Sequence, residues 1–269
     1  MSWRHKLLSS SIRMVPGSLR GIIRCIPGVA AAQRAAISAV GRNDEFEHTI
    51  DYGPAEGLRM PVRLPDDKGF WKGTYEEGFC SRLAAAVKPG DVCHDIGAFR
   101  GYTAGVMALA GASEVRAFEP APLNQQAVRR VMALNPDLPI KLVEAAVGAE
   151  EGTIKITIHE DSSMNFIGED NSGRPAVEVK MVVLDALVES AAIQPPQLLK
   201  IDVEGAEASV LRGAPKALRE SAREIFVELH HQQAKEECER LLTEAGFERV
   251  WQAEEDGVFP MQTHFRKAK

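Results

Sequence analysis

The stretch 91–102, DVCHDIGAFRGY, decides the fold of this 269-residue chain. Residues 91–95 have the composition of a short strand, and a turn containing Gly97 and Gly101 follows at once. A strand that runs through a glycine-rich turn into a helix is typical of parallel sheets that bind nucleosides at their carboxyl edge. Glycine suits this junction because a side chain would keep the backbone away from a ligand.

Regular alternation of strand and helix patterns continues from this stretch to the C-terminus. Helical periodicity occupies residues 102–110, 123–134, 206–218 and 232–245. Strands are predicted at residues 91–95, 114–118, 139–143, 198–201, 225–229, 247–251 and 258–265, with two additional alternating segments at 153–159 and 176–183. This order predicts an α/β fold with a mostly parallel, doubly wound sheet and helices on both faces.

The composition excludes some classes of protein. Apolar residues make up 45% of the chain, which is too many for a chain disordered throughout. The net charge of −6 argues against a general nucleic-acid binder. Charge is unevenly placed, because residues 1–42 hold seven basic and no acidic residues, leaving 25 basic and 38 acidic residues in the remainder.

This asymmetry suggests three regions. Residues 1–42 form a basic N-terminal extension that could contact an anionic membrane surface weakly. Residues 43–80, rich in aromatic residues and glycine, form a connecting segment that could act as a lid. Residues 81–269 form the main domain.

Cysteine usage and hydropathy favour a cytoplasmic protein. Cys25, Cys80, Cys93 and Cys238 form no CxxC pair, so they indicate neither a disulfide framework nor a zinc site. We therefore expect reduced thiols. No apolar stretch approaches the roughly 20 residues that cross a bilayer.

The acidic residue after the second predicted strand suggests which nucleoside is bound. Glu119 lies in the sequence AFEP, where a carboxylate accepts hydrogen bonds from ribose hydroxyls. The turn reads DxGxxxG rather than the GxGxxG of dinucleotide binders. Asp95 would repel a pyrophosphate but suits the ammonium and sulfonium of S-adenosylmethionine, which we therefore favour over NAD.

A second motif, LLKIDVEGAE at residues 198–207, places three carboxylates within six residues and is followed by VLRGA. It resembles the signature of the FkbM-type methyltransferases. The DIGA turn at 95–98, the FEP at 118–120, Asn124 and the Leu184-Asp185 pair agree with the same family in order and spacing. The resemblance covers roughly residues 88–230.

The resemblance implies a class I, Rossmann-like methyltransferase fold with a seven-stranded sheet, one strand of which is antiparallel near an edge. It also implies S-adenosyl-L-methionine as cofactor. By position, Asp202 would lie near the methyl donor and Glu119 would hold the ribose. The residues implied in holding the methionine part and flanking adenine are Asp95, Gly97, Ala98 and Gly101, and the turn ending at Ala146.

The chain departs from the family pattern at three positions. Phe99 stands where the family often has Asn, and Val183 where it often has Thr. His94 replaces a commoner apolar or small residue. Because Phe99 is larger than asparagine, the cofactor contact expected at this position of the turn is uncertain in this chain.

Methylation of an alcohol requires a base near the methyl group. The candidates are Asp202, Glu204, Glu228 and His230, of which we favour Asp202 or His230. Glu204 and Glu207 could instead stabilise a helix N-terminus. The sequence shows no dedicated metal cluster, so no metal site is predicted, although a metal held by Asp202 and Glu204 stays open. Ser163, between the two additional strands, is a weaker candidate for a contact with substrate or cofactor.

The sequence therefore predicts an enzyme that methylates a hydroxyl on a small molecule, sugar or glycan. N-methylation, or a protein or lipid-linked acceptor, stays open. A non-catalytic, cofactor-binding scaffold associated with a membrane or partner is the alternative of another class. No nucleic-acid partner is expected, and the sequence indicates no oligomeric state.

Overall fold

The computed structural model describes residues 45–157, 166–167, 176–253 and 257–268. Contacts divide the chain into two compact units between Tyr75 and Glu76. The basic extension with its suggested membrane contact, Cys25, and the segment around Ser163 lie outside the described residues. Within the described part of the chain, no helix has the length and apolar character needed to cross a membrane.

The described part of the first unit is an antiparallel strand pair followed by a short helix. Strand β1 (Glu45–Thr49) pairs with β2 (Arg59–Arg63), and α1 (Lys68–Lys72) follows. Phe70 of α1 stacks on Tyr75, with ring centroids 4.2 Å apart. This region was expected only as a connecting segment, and its role as a lid stays a prediction.

The second unit contains the regular alternation. Its strands are β3 (Val92–Ile96), β4 (Glu114–Phe118), β5 (Ile140–Val143), β6 (Ala146–Val147), β7 (Gly152–Thr157), β8 (Phe166–Ile167), β9 (Ala176–Val182), β10 (Leu198–Ile201), β11 (Glu224–Leu229), β12 (Phe247–Gln252) and β13 (Met261–Lys267). Its helices are α2 (Glu77–Ala86), α3 (Tyr102–Leu109), α4 (Pro122–Leu134), α5 (Leu184–Glu189), α6 (Glu207–Arg212), α7 (Pro215–Glu220) and α8 (Gln232–Glu244).

Seven of these strands form one sheet in the order β12-β13-β11-β10-β3-β4-β5. Strand β13 runs antiparallel to both neighbours, while β11, β10, β3, β4 and β5 are parallel. The fold class is confirmed: the sheet is mostly parallel, and its antiparallel strand lies next to an edge.

The additional strands pair outside the main sheet. They form a smaller sheet in the order β6-β9-β7-β8. A small cluster of buried side chains lies beneath it, formed by Ala121, Ala146, Ile156 and Val179.

The helical segment predicted at residues 206–218 is divided into α6 and α7, a division that Gly213 and Pro215 allow, and Pro215 is the first residue of α7. The predicted strand 176–183 is β9, and the Leu184-Asp185 pair that follows it begins α5. The Asp185 carboxylate accepts hydrogen bonds from the N–H groups of Lys216 (2.6 Å) and Ala217 (2.9 Å), so it satisfies donors at the N-terminus of α7.

The centre of the main sheet is buried on both faces, which explains why β10 and β11 are nearly continuous apolar runs. Lys200 is the exception in β10, and only 3% of its surface is exposed. The described cysteines, Cys80, Cys93 and Cys238, are free and buried in this unit.

The glycine-rich turn packs directly against the end of the neighbouring strand. Gly97 has φ +83°, and a Cβ at this position would overlap the carbonyl oxygen of Asp202. Asp202 N–H in turn donates to the carbonyl of Ile96 at 3.0 Å. Gly97 is therefore required here by the approach of another backbone segment, whereas the sequence suggested the approach of a ligand.

We expect Gly97→Ala to lower the free energy of unfolding by about 2 kcal/mol or more, because it adds both a left-handed strain and an overlap. Gly78→Ala is the matched control. Gly78 lies in the first turns of α2 and a Cβ there meets no atom within 4 Å, so the same change should stabilise by about 0.5–1 kcal/mol. Urea unfolding measures both, and equal effects would contradict the packing argument.

Candidate functional site

The predicted site residues meet at one edge of the main sheet. Asp95 lies near the end of β3, Glu119 follows β4, Asp202 follows β10 and His230 follows β11. Because these four strands are parallel neighbours, their carboxyl ends lie side by side. This is the edge at which open α/β sheets bind ligands.

Lys200 connects two of the predicted carboxylates from inside the sheet. Its Nζ lies 3.3 Å from Asp95 Oδ1 and 3.4 Å from Asp202 Oδ2, and it donates to the carbonyl of Gly97 at 2.7 Å. Burial alone would lower the pKa of Lys200, but the two carboxylates raise it above its usual value, so the ammonium is charged. Sequence reasoning missed Lys200, although a lysine inside a four-residue apolar strand was an available signal.

Asp95 is enclosed by protein. It has no exposed surface, and the hydroxyl of Thr103 donates to its Oδ2 at 2.7 Å. Burial raises the pKa of Asp95, while the Lys200 ammonium and the Thr103 hydroxyl oppose that rise. Its direct partners in the structure are therefore protein groups.

Glu119 is oriented by three donors. Its Oε2 accepts from the N–H of Phe99 at 2.8 Å, and its Oε1 accepts from the N–H of Ala121 (2.9 Å) and the amide of Asn124 (3.3 Å). The residue is 4% exposed, and burial raises its pKa to about 7 against the effect of these bonds. Ala121 and Asn124 use both lone pairs of Oε1 and Phe99 uses one of Oε2, so the second lone pair of Oε2 can accept a hydroxyl proton.

The hydrogen bonds of the turn suit S-adenosylmethionine better than a dinucleotide. The N–H groups of Gly97 and Ala98 both donate to the carbonyl of Phe118 at 3.0 Å, and that of Phe99 donates to Glu119. These backbone donors are thus already used within the protein, whereas a pyrophosphate needs free N–H groups. What the turn offers instead is carboxylate oxygen, which fits a ligand with hydroxyls and positive charge.

Of three other predicted contact residues, the structure describes two. Gly101 precedes α3 with φ +82° and packs against Val128. Ala146 lies in β6, buried in the small cluster under the second sheet. Their contacts with a cofactor stay predictions, as does that of Ser163, which lies outside the described residues.

The candidate bases form one cluster around His230. Its Nδ1 lies 2.8 Å from Glu207 Oε1. Its Nε2 lies 3.3 Å from Glu204 Oε2, 3.7 Å from Asp202 Oδ1 and 4.0 Å from Glu228 Oε1. The His230 side chain is 15% exposed, so it is held within the site.

The pKa values of three groups in this cluster, His230, Glu204 and Glu228, are raised. Burial lowers the pKa of His230, but Glu207, Asp202 and Glu204 outweigh burial and raise it to about 9. Burial raises the pKa of Glu204 to about 7, and burial together with Asp202 raises that of Glu228. Groups with shifted pKa values in one cleft are typical of acid–base sites.

Glu207 has a different environment from the one its sequence position suggested. It was predicted as a stabiliser of a helix N-terminus, and it does lie in the first turn of α6. It is also fully buried, and its Oε1 accepts from Gly205 N–H at 2.8 Å as well as contacting His230. Sequence reasoning could not see that this turn faces the end of β11.

Asp202, Glu228 and His230 have ligand atoms within 4.8 Å of one another, a spacing that a divalent cation can bridge. We treat them as acid–base groups and not as metal ligands. The ammonium of Lys200 already lies beside Asp202, and His230 would have to lose its proton to bind a metal. That the enzyme needs no metal stays a prediction.

Comparison with known proteins identifies the domain. The family model described as the methyltransferase FkbM domain matches residues 95–255. Hexuronic acid methyltransferase AglP of Haloferax volcanii is 28% identical over 171 residues, covering 63% of this chain and 69% of that protein.

The chain also resembles solved structures of methyltransferases in its fold. The FkbM methyltransferase of Methylobacillus flagellatus is 16% identical with a TM-score of 0.48, covering 66% of this chain. This chain spans only 43% of the length of that structure. The ribosomal protein L11 methylase of Lactobacillus delbrueckii is 16% identical with a TM-score of 0.45, covering 71% of this chain and 77% of that one.

We expect Lys200→Met to destabilise the protein by about 3–5 kcal/mol, because it leaves the buried Asp95 without its cation. Without Lys200, the pKa of Asp95 in the folded protein rises further above its unfolded value, so stability falls as pH rises through that interval. The difference in free energy of unfolding between wild type and Lys200→Met should therefore be smaller at about pH 5 than at about pH 8.

The control is Lys216→Met, which removes an ammonium that is 49% exposed and pairs with Glu189. Its effect should stay within about 0.5 kcal/mol at either pH. Denaturant unfolding of both variants at the two pH values is the measurement. A deficit for Lys200→Met that does not change with pH would refute the pairing with Asp95.

Proposed function

Because the chain belongs to the FkbM family of methyltransferase domains, and so is a methyltransferase, we propose that it methylates a hydroxyl oxygen of a sugar or another small molecule. The observation that carries this proposal is the His230 cluster at the carboxyl edge of the sheet. An alcohol loses its proton during methyl transfer, and a positioned imidazole among carboxylates is suited to accept it.

S-adenosylmethionine, when bound, supplies an electrophilic methyl group on a positively charged sulfur. We propose that Glu119 holds the ribose hydroxyls, since its carboxylate is already oriented by Phe99, Ala121 and Asn124. The turn from Gly97 through Ala98 to Gly101 would hold the methionine part, and Ala146 would flank adenine. Asp95 is enclosed, so we expect it to act through Lys200 and Asp202.

The charges around His230 favour a hydroxyl over a carboxylate as the acceptor group. Asp202, Glu204 and Glu228 surround Nε2, and a carboxylate acceptor would meet this negative charge. A hydroxyl can instead donate to a carboxylate or to neutral His230. The relative AglP is named for hexuronic acid, which carries hydroxyls as well as a carboxylate, and this supports a sugar acceptor.

In the proposed reaction, neutral His230 accepts the hydroxyl proton at Nε2. Asp202 lies 3.7 Å from Nε2 and stabilises the imidazolium that results. Alignment of the acceptor oxygen in a site that excludes water supplies a further large part of the rate. His230 and Asp202 are the proposed catalytic residues.

The same negative charge supports a second candidate, N-methylation, because an amine acceptor would be attracted to Asp202, Glu204 and Glu228 as a cation. A neutral amine has less need of a base than an alcohol. The arrangement of His230 therefore favours the hydroxyl.

A cytoplasmic location is part of the proposal.

Glu119→Gln should weaken binding of S-adenosylhomocysteine by about tenfold or more, since the charged acceptor of the ribose hydroxyls is lost. Isothermal titration calorimetry measures this. The control is Glu189→Gln, which makes the same chemical change at an exposed position on α5. Equal affinities in wild type and Glu119→Gln would show that Glu119 does not bind the cofactor. If the wild type bound no S-adenosylhomocysteine, the proposed cofactor would be wrong.

The acceptor is tested by incubating the protein with labelled S-adenosylmethionine and a panel of neutral sugars, uronic acids and amino sugars. We expect a methyl ether, which survives mild base, whereas a methyl ester is hydrolysed and an N-methyl group is recognised by fragmentation. An ester or N-methyl product would refute the hydroxyl acceptor.

In this assay the rate should rise with pH and level off near pH 9, because His230 has a pKa of about 9 and only its neutral form accepts a proton. A bound cationic methyl donor lowers the pH range over which this rise in rate occurs, which we call the acid limb. His230→Asn should abolish the acid limb and lower kcat by about 100-fold or more. His231→Asn, which changes the neighbouring residue that caps α8 and keeps a good cap, should retain both.

A further inference from the structure

Glu207 makes an unusual pairing for a buried carboxylate. It has no exposed surface, and its Oε1 contacts both His230 Nδ1 and the N–H of Gly205 at 2.8 Å. Its Oε2 has no hydrogen-bond partner among the described residues. A buried carboxylate is costly unless it is paired with positive charge, so the structure at Glu207 depends on His230.

The chemistry of this contact determines which nitrogen of His230 carries a fixed proton. An ionised carboxylate can only accept hydrogen bonds, so Nδ1 must be the donor. Nε2 is then the nitrogen that gains and loses a proton. It faces Glu204, Asp202 and Glu228, whereas Glu207 is on the opposite side of the ring.

We propose that Glu207 is a positioning residue, which holds His230 in the Nδ1-protonated form and keeps Nε2 turned towards the acceptor side of the site. This deepens the proposed function and rests on it, because His230 matters to catalysis only if it accepts the hydroxyl proton. Glu207 itself is expected to touch neither substrate nor cofactor.

The groups that face His230 come from three elements. Asp202 and Glu204 follow β10, Glu228 lies in β11 and Glu207 lies in α6. Lys200 lies 3.4 Å from Asp202 Oδ2 and so adds a positive charge beside this cluster. Removing any of the four carboxylates should lower the proton affinity of His230, but only removal of Glu207 should also release its tautomer.

The experiment is nitrogen NMR of the full chain with labelled histidine, followed as a pH titration. His231→Asn identifies the neighbouring histidine, and His230→Asn identifies the signal of interest. In wild type, neutral His230 should be the Nδ1-protonated tautomer, and its titration should lie well above that of a free histidine.

In Glu207→Gln the midpoint should fall by at least about one pH unit, and the neutral form should become a mixture of tautomers, because an amide can donate to Nδ1 as well as accept from it. Glu204→Gln is the matched control at Nε2. It should lower the midpoint while leaving the Nδ1-protonated tautomer intact. Glu207→Asp keeps the carboxylate, so its His230 midpoint should lie between those of Glu207→Gln and wild type.

Methyl transfer gives the second readout. Glu207→Gln should shift the acid limb of the rate to lower pH by the same interval and reduce the plateau at least tenfold, with a smaller effect on KM for the acceptor. A merely structural role would lower thermal stability and leave the limb in place.

Two results would overturn the proposal: an Nε2-protonated neutral tautomer in wild type, or an unchanged titration in Glu207→Gln. If Glu207→Gln does not fold, the wild-type tautomer together with the Glu207→Asp titration decides. The NMR result does not depend on any acceptor. If the proposed function is wrong, no methylated product forms although His230 is the Nδ1-protonated tautomer. If this inference is wrong, the product forms but His230 is not held in that tautomer.

Discussion

The site depends on the ion pairs that the buried ammonium of Lys200 makes with Asp95 and Asp202. It holds Asp95 on β3 and Asp202 after β10 at 3.3 and 3.4 Å, and its bond to the carbonyl of Gly97 fixes the turn between them. Asp95 is fully buried and the Asp202 side chain is 24% exposed, and without the cation between them the two carboxylates would repel each other. Because Lys200 is part of the strand, the charge balance is built into the sheet itself.

Lys200 also divides the edge of the sheet into two regions of different chemistry. On the side of β4, Glu119 is held by backbone N–H groups and its oxygens accept from donors of fixed direction. On the side of β11, His230 stands among carboxylates, and the pKa of Glu204 is raised to about 7 and that of His230 to about 9. The first region suits the binding of hydroxyls, and the second suits the exchange of protons. A transferase needs both, since it must hold one substrate and deprotonate the other.

The sequence pattern predicted much of this fold and part of this site. Alternating strands and helices have strong periodicity, so β4 and β10 were predicted at their observed bounds. The positions of Asp95, Glu119, Asp202 and His230 follow from the rule that parallel strands end at one edge. The roles of Lys200 and Glu207 could not be read in this way. The lysine inside the apolar strand β10 signals a buried charge but not its partners, and a glutamate in a first helical turn has an ordinary local explanation. Only the packing of β10 between β3 and β11, and of α6 against β11, brings these two residues to their partners.

Phe99 shows how such packing can fix a conformation without fixing a residue type. Its φ of 50° lies in the left-handed region, which costs a bulky residue about 1–2 kcal/mol. That conformation lets its N–H reach the buried Glu119 carboxylate, and hydrogen bonds to charged groups contribute about 1.5–3 kcal/mol. The bond is large enough to offset the strain, so the backbone keeps a conformation that asparagine, the residue of the family pattern, would adopt more easily. The constraint at this position therefore acts on the backbone N–H, whereas the ring of Phe99 is only half-buried.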